Sequence, residues 1–130
     1  MPIKINWAFN AQVAGGPKVA AAETVEVDAY ENIEVIVPKH DASDGTAEVG
    51  IVPADTGEIL FLVIKADNYT DAQLSYVIND GADEVEFDAQ QAFIGAGAVG
   101  LLGASPSKLT FTNKGSKDAA VRILVGRKTT

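Results

Sequence analysis

The sequence predicts a single all-β domain, an antiparallel β-sandwich or jelly-roll-like barrel of about eight to ten short strands. Apolar and polar residues alternate in several short segments, turn residues separate these segments at regular intervals, and no segment has the period of an amphipathic helix. The chain has 130 residues, of which 47% are hydrophobic, so it has enough apolar surface for one core and little room for two. We therefore expect one domain over residues 1–130.

The N-terminal segment predicts two successive strands. Residues 3–13 alternate in polarity, and their apolar side carries Ile3, Ile5, Trp7, Phe9, Ala11 and Val13. Such an apolar side is typical of a half-buried strand. Gly15-Gly16-Pro17 ends it, and Val19–Val27 indicates a returning strand. Glu23 falls on the apolar side of this second strand, which predicts a bulge or a break near Ala22.

The rest of the chain contains further predicted strands. They are Ile33–Val37, Val49–Val52, Ile59–Ile64, Leu74–Ile78, Val85–Phe87, Leu109–Asn113 and Val121–Val125. A polar loop is expected over residues 39–46, and turns at residues 53–57, at Asp80-Gly81 and at residues 114–118. The segment Ile59–Ile64 is apolar on both faces, as expected for a strand in the middle of a sandwich or one covered by a neighbouring chain.

A glycine- and alanine-rich segment, residues 89–104, does not fit the strand pattern. Gly95, Gly97 and Gly100 match the G-x-G-x-x-G string of dinucleotide-binding sites. Such a site needs the string between a strand and a long helix of a βαβ unit, whereas here Pro106 and a β-strand follow shortly. We expect instead a loop that packs against a neighbouring element or subunit, with a short helical turn as the alternative.

The sequence offers few side chains for catalysis. It has no cysteine and a single histidine, His40, so no set of nucleophile, base and orienting residue can be assembled from it. Acidic residues cluster at Asp41 and Asp44 and over residues 80–88, without the spacing of a calcium-binding loop. We expect no enzyme, no cofactor and no metal. A β-sandwich module that binds carbohydrate or another ligand with Ca²⁺, and a small hydrolase with a pair of carboxylates, are the alternative functions.

The net charge is −8, which argues against a nucleic-acid partner. Residues 1–107 contain 17 acidic and 4 basic residues, whereas residues 108–130 contain 6 basic residues and one acidic residue. Either the basic C-terminal strands lie beside acidic strands of the same domain, or unlike patches meet between neighbouring subunits. The second alternative gives as partner-binding candidates Lys114, Lys117, Arg122, Arg127 and Lys128. Trp7 and Phe9 are either core residues or aromatic anchors for a partner.

Neither a membrane partner nor a secretion signal is expected. The longest strictly apolar run, Ile59–Ile64, is too short for a transmembrane helix. The first residues lack the basic region and the apolar run of a signal peptide.

The C-terminal half resembles small virion structural proteins of tailed bacteriophages, of the head-decoration or cement type. The resemblance covers residues 60–128 and rests on the runs Leu74–Asn79, Phe93–Leu102, Leu109–Asn113 and Val121–Arg127. It implies a β-sandwich that forms a homo-oligomer, with a trimer favoured, and clamps neighbouring subunits of the major capsid protein. It also implies a place in the virion, assembled in the host cytoplasm. The resemblance contains no site motif, so it assigns no functional residue.

Overall fold

The computed structural model describes residues 3–51, 58–102 and 106–128. These residues form ten strands and one short helix. In chain order they are β1 (Ile3–Gln12), β2 (Lys18–Val27), β3 (Ala29–Val37), β4 (Gly45–Gly50), β5 (Glu58–Ala66), β6 (Leu74–Ile78), β7 (Glu84–Phe87), β8 (Gln91–Ile94), α1 (Ala96–Gly100), β9 (Lys108–Asn113) and β10 (Ala119–Lys128). The predicted turn at residues 53–57, the end of the predicted strand Val49–Val52 and the end of the glycine-rich segment lie outside the described residues.

The strands form three antiparallel sheets. Strands β1 and β2 make a two-stranded sheet of their own, which we call the arm. The front sheet has the strand order β3-β10-β5-β8, and the back sheet has the order β4-β9-β6-β7. The antiparallel sheets pack in a sandwich-like arrangement, which confirms the predicted all-β fold class.

The core lies between the inner faces of the front and back sheets. Strand β10 contributes Val121, Ile123 and Val125, and β9 contributes Leu109 and Phe111, all of them fully buried. A cluster of aromatic rings, with centroids between 5.4 and 6.1 Å apart, is formed by Tyr69, Tyr76, Phe87 and Phe111. Each large apolar side chain of this kind stabilises the fold by roughly 1.5 to 3 kcal/mol when it is buried. The core therefore stabilises the packing of the front sheet on the back sheet, whereas in the described chain the arm contributes no residue to it.

Strand β5 lies inside the front sheet, between β10 and β8. On its inner face, Leu62 and Ile64 are fully buried in the core. On its outer face, Phe61 is also buried and Val63 is half-buried, although Phe61 does not belong to the main core. A central strand with apolar residues on both faces is what the run Ile59–Ile64 predicts.

Asn113 is a buried polar residue at the end of β9 and joins several loops. Its side-chain oxygen accepts hydrogen bonds from the backbone N–H groups of Gly115 (2.8 Å) and Gln73 (3.2 Å). Its amide nitrogen donates to the carbonyl oxygens of Lys117 (2.9 Å) and Val37 (3.4 Å). One side chain thus connects the end of the front-sheet strand β3 with the β9–β10 turn and the start of β6.

Tyr76 makes the stability of the fold dependent on pH in the alkaline range. Burial raises the pKa of Tyr76 from its ordinary value of 10.0 to about 12, and its hydroxyl donates a hydrogen bond to Gln91 Oε1 at 2.7 Å. The folded state therefore favours the neutral phenol, so its contribution is complete below pH 10.0 and is lost as the pH rises through about 12. We expect the free energy of unfolding to fall by roughly 2 to 3 kcal/mol over this range.

Urea unfolding at a series of alkaline pH values measures this loss. In the Tyr76→Phe variant the baseline stability is lower because the bond to Gln91 is missing, but this part of the pH dependence should disappear. A variant with the same alkaline slope as the original protein would contradict the assignment to Tyr76.

The predicted bulge near Ala22 is wrong. Strands β1 and β2 pair in one continuous register, from Ile3 opposite Val27 to Gln12 opposite Lys18. The bulge was expected because a carboxylate at Glu23 is costly on a buried face. In the structure Glu23 is exposed, so its charge is solvated and the register needs no correction.

Other elements differ from the predictions in their bounds. Strand β4 begins at Gly45, so the polar loop is shorter than residues 39–46. The turn after β6 has its left-handed residues at Asn79 and Asp80, one position earlier than predicted. The sequence also gave no indication of strand β8, which precedes helix α1 in the glycine-rich segment.

Candidate assembly surface

The arm is almost entirely exposed to solvent. Every residue from Ala8 to Thr24 is exposed, apart from Gly16, which is half-buried in the tip turn. The exposed fractions include 54% for Phe9 and 65% for Val19, large values for apolar side chains. A strand of ten residues is about 33 Å long, so most of the arm's length is not covered by the sandwich.

The two faces of the arm differ in chemistry. Cross-strand neighbours share a face, and the apolar face carries the pairs Ile3–Val27, Ile5–Val25, Trp7–Glu23, Phe9–Ala21 and Ala11–Val19. The opposite face carries Lys4–Glu26, Asn6–Thr24, Ala8–Ala22, Asn10–Ala20 and Gln12–Lys18, and Thr24 Oγ1 donates to Asn6 Oδ1 there at 2.7 Å. Glu23 is the only charged residue on the apolar face. The arm is therefore amphipathic. Its apolar face is exposed at Phe9, Ala11, Val19 and Ala21, whereas Trp7 is half-buried and its Nε1 atom is shielded from solvent without a hydrogen-bond partner among the described residues.

The root of the arm, formed by Ile5 and Val27, is seated on the front sheet at Gly126. A Cβ atom at Gly126 would lie 2.6 Å from Ile5 Cδ1 and 3.0 Å from Val27 Cγ1, so the absence of a side chain allows this close approach. Phe61 is opposite Gly126 in the neighbouring strand, and both Phe61 and Val27 are buried. These residues lie on the outer face of the front sheet, outside the main core.

The outer face of the front sheet continues away from this root as a mixed apolar and charged surface. Tyr30 of β3 lies directly opposite Gly126 and is exposed by 53%. Farther from the root, Ile36 of β3 is exposed by 54% and Leu124 of β10 is half-buried. Charged residues of this face include Glu34, Lys65 and Arg122, which line one hollow together with Asp67. Arg122 Nη2 lies 2.9 Å from Glu34 Oε2. Lys65 forms no salt bridge with a described residue.

The outer face of the back sheet is polar by comparison. Its cross-strand rows are Thr46–Thr112–Ser75–Glu86 and Glu48–Thr110–Val77–Glu84. Beside them, Lys108 Nζ lies 2.6 Å from Asp80 and 3.7 Å from Glu48, and the hydrogen bond to Asp80 raises the pKa of Lys108. Of the six large apolar residues that are exposed in the described chain, four lie on the arm or on the outer face of the front sheet, and a fifth, Val13, lies in the turn at the tip of the arm. Exposed apolar residues concentrated on one side mark an interaction surface.

The structure brings together two of the predicted partner-binding residues and separates the others. Trp7 and Phe9 lie on the apolar face of the arm. Arg122 is exposed on the outer face of the front sheet. The other predicted residues lie at the two ends of β10, about 30 Å apart along the strand; they are Lys114 and Lys117 in the turn before it, and Arg127 and Lys128 at its end. The basic residues therefore do not form a single patch.

Arg127 is the predicted residue that the structure removes from the surface. It is only 7% exposed, its Nη2 atom lies 3.9 Å from Glu31 Oε1, and its Nε atom has no hydrogen-bond partner among the described residues. Lys117 Nζ lies 3.8 Å from Asp71. The basic strand β10 is thus paired in part with acidic residues of the same chain, as one of the two alternative interpretations of the charge distribution predicts.

The acidic residues single out no metal centre. Among the described residues, no three His, Cys, Asp or Glu side chains are grouped so that they could hold an ion. His40 Nδ1 lies 2.8 Å from Asp44 Oδ1 in an exposed loop. A shallow hollow of about 510 Å³ lies beside the edge strand β7, lined by Tyr69, Glu84, Glu86, Asp88, Lys114 and their neighbours.

The glycine-rich segment does not have the geometry of a dinucleotide site. Strand β8 pairs antiparallel with β5, and the helix that follows, Ala96–Gly100, has only five residues. A βαβ unit needs parallel strands and a longer helix whose N-terminus meets the phosphates. In the described part of the chain, no helix has the length and apolar character that crossing a membrane requires.

On the outer face of the front sheet, the sequence indicated Arg122 and the doubly apolar strand Ile59–Ile64, but sequence reasoning missed Tyr30 and Ile36. One signal was available, since Ile36 is apolar at a position that alternates with the buried side of its strand. The sequence does not indicate which strands pair with β3 and β5. The residues that share this outer face could therefore not be predicted from it. Comparison with protein-family models, with curated proteins and with solved structures finds no match to this chain.

Proposed function

We propose that this protein is a non-enzymatic structural protein of a virion, a capsid decoration or cement protein that oligomerises and stabilises a phage head. The observation that supports this proposal best is the arm, because Phe9, Ala11, Val19 and Ala21 of its apolar face are exposed to solvent in the described part of the chain. A surface of this kind is suited to binding a macromolecular neighbour rather than to a reaction.

The energetics of a two-stranded sheet favour a partner for the arm. An isolated hairpin is marginally stable in water, and independent stability needs a third strand or packing against another element. Here the sandwich contacts the arm at its root, where Ile5 and Val27 meet Gly126, and leaves Phe9 and Val19 in water. Docking the remaining apolar face would both bury these side chains and hold the arm in one conformation.

The choice of a virion partner rests on the resemblance of residues 60–128 to head-decoration proteins. A decoration protein needs a rigid small fold and surfaces that repeat over many copies, because many weak contacts together hold a shell. The sandwich provides the rigid fold, and the arm and the front sheet provide the contact surfaces. The major capsid protein is the expected second partner of the oligomer.

The test is the composition of purified virions produced from the genome that encodes this chain. We expect mass spectrometry to find the protein in a copy number comparable to that of the coat protein. Particles from a deletion mutant should release their DNA at a lower temperature, and adding the purified protein back should restore the original value. Absence of the protein from purified particles would contradict the proposal.

The alternative function, a ligand-binding module, is favoured by the hollow beside β7. Its lining combines a tyrosine, three carboxylates and a lysine, which is a lining able to bind a polar ligand. A thermal-shift screen with Ca²⁺ and with a panel of glycans separates the two functions. A rise in melting temperature that the Glu86→Gln variant abolishes would favour the ligand-binding module over the virion protein.

A further inference from the structure

We infer that the arm of one copy packs its apolar face on the outer face of the front sheet of a second copy. This inference rests on the proposed function and names the element that joins the subunits. The two surfaces are the apolar face of the arm beyond its root, with Trp7 and Phe9, and the outer face around Lys65 and Leu124.

The same contact already exists within one chain on a smaller scale. At the root, Ile5 and Val27 of the apolar face pack on Gly126 of the outer face. This contact buries Val27 together with the neighbouring Phe61. Farther along the arm, Phe9 and Val19 are exposed, and farther along the front sheet Ile36 is exposed while Val63 and Leu124 are half-buried. In an oligomer, the arm of one copy would cover the outer face of the front sheet of the next copy.

Charge complementarity supports the same pairing. Glu23 is the one charged residue on the apolar face of the arm, and it forms no salt bridge with a described residue. Lys65, on the outer face of the front sheet, is likewise exposed and forms no salt bridge with a described residue. An acid on one surface and a base on the other fix the register of two apolar surfaces that would otherwise slide.

The contact is head-to-tail, and it forms a ring when the rotation between successive copies closes. Each copy carries one arm and one outer face, so in a ring every copy gives one arm and receives one. No exposed arm is left over in the closed ring, which limits growth to a defined oligomer. A coat protein as the occupant would instead leave the outer face of the front sheet without a role.

The first test compares two double variants of the full chain. Phe9→Ser with Val19→Ser makes the apolar face of the arm polar, and Asn10→Ser with Ala20→Ser changes the opposite face of the same strands. All four positions are exposed, so the sandwich should keep its unfolding midpoint in both variants. Mass is measured by size-exclusion chromatography with light scattering over a range of concentrations. We expect the first variant to weaken association by roughly tenfold or more and the second to leave it unchanged.

Tryptophan fluorescence gives an independent measurement, because Trp7 is the only tryptophan and lies on the apolar face of the arm. Trp7 is half-buried in a single chain, so burial of its remaining exposed surface should shift its emission to shorter wavelength as the protein associates. An oligomer that forms equally well with the Phe9→Ser and Val19→Ser changes, or an association without a shift of the Trp7 emission, would contradict the inference.

The second test reverses the two charges. Glu23→Lys and Lys65→Glu should each weaken association, and the protein that carries both changes should associate more strongly than either single variant. A double variant that associates no better than the weaker single variant would overturn the pairing. A protein that is monomeric at every concentration, yet binds phage heads through the arm, would overturn this inference while leaving the proposed function in place.

Discussion

Replacing Asn113 with alanine is expected to lower the free energy of unfolding by roughly 3 to 5 kcal/mol. The substitution removes four hydrogen bonds of a fully buried side chain. It also leaves the backbone N–H groups of Gln73 and Gly115 without the acceptor that they use in the folded state. An unsatisfied buried donor costs about 1 to 3 kcal/mol, more than the loss of an exposed hydrogen bond.

Asn68→Ala is the matched control for this prediction. The Asn68 side-chain oxygen also accepts two backbone hydrogen bonds, from Thr70 (3.1 Å) and Asp71 (3.0 Å), but it does so within a local exposed turn. Water can replace these bonds, so the expected loss is roughly 1 kcal/mol or less. Urea denaturation of both variants gives the comparison. Equal losses for the two variants would show that Asn113 does not connect the loops in the way described.

Gly45→Ala is expected to destabilise the protein by more than about 3 kcal/mol, a large fraction of the stability of a small domain. A Cβ atom at Gly45 would overlap the carbonyl group of Pro38 and approach the carbonyl oxygen of Lys39 to 3.0 Å. Because these atoms belong to the backbone, the overlap is relieved only if the chain moves where β3 leads into β4. The resulting shift would disturb the pairing of β4 with β9.

Gly50→Ala provides the comparison at the other end of the same strand. A Cβ atom at Gly50 would meet nothing within 4 Å, so this variant should be close to neutral. The difference between the two variants isolates the steric cost from the effect of a glycine-to-alanine change in a strand. Thermal and urea unfolding of both variants measure it, and a stable, soluble Gly45→Ala protein would contradict the close approach to Pro38.

The sequence predicts those parts of the fold whose signal is local. Strand Leu74–Ile78 is observed with its predicted bounds, because its alternation of apolar and polar residues matches a strand with one face in the core. Strand β8 escaped prediction because its four residues do not alternate in polarity, and its Gln91 accepts a hydrogen bond from the distant Tyr76. Such a strand is specified by its partners and not by its own pattern.

The candidate surface was predictable only in part, for a related reason. Trp7 and Phe9 were named as anchors or core residues from their alternation, but whether anything covers them depends on where the sandwich ends. Arg127 appeared to be a surface cation because it follows the predicted strand Val121–Val125. The observed strand β10 continues to Lys128, and this extension buries Arg127. Burial of this kind follows from long-range strand pairing, which no single segment of the sequence encodes.

The position of β10 in the front sheet has a consequence for the order in which the protein acquires its structure. Strand β10 is the only hydrogen-bonded neighbour of β3 in this sheet, although most of the described chain separates the two strands. The ribosome synthesises β3 early and β10 late. Strand β3 therefore has no hydrogen-bonded neighbour in the front sheet while the strands between them are synthesised. Contacts between segments so distant along the chain slow the search for the native pairing. The front sheet is therefore complete only after β10 has been synthesised. Only then does the outer face exist on which the root of the arm packs.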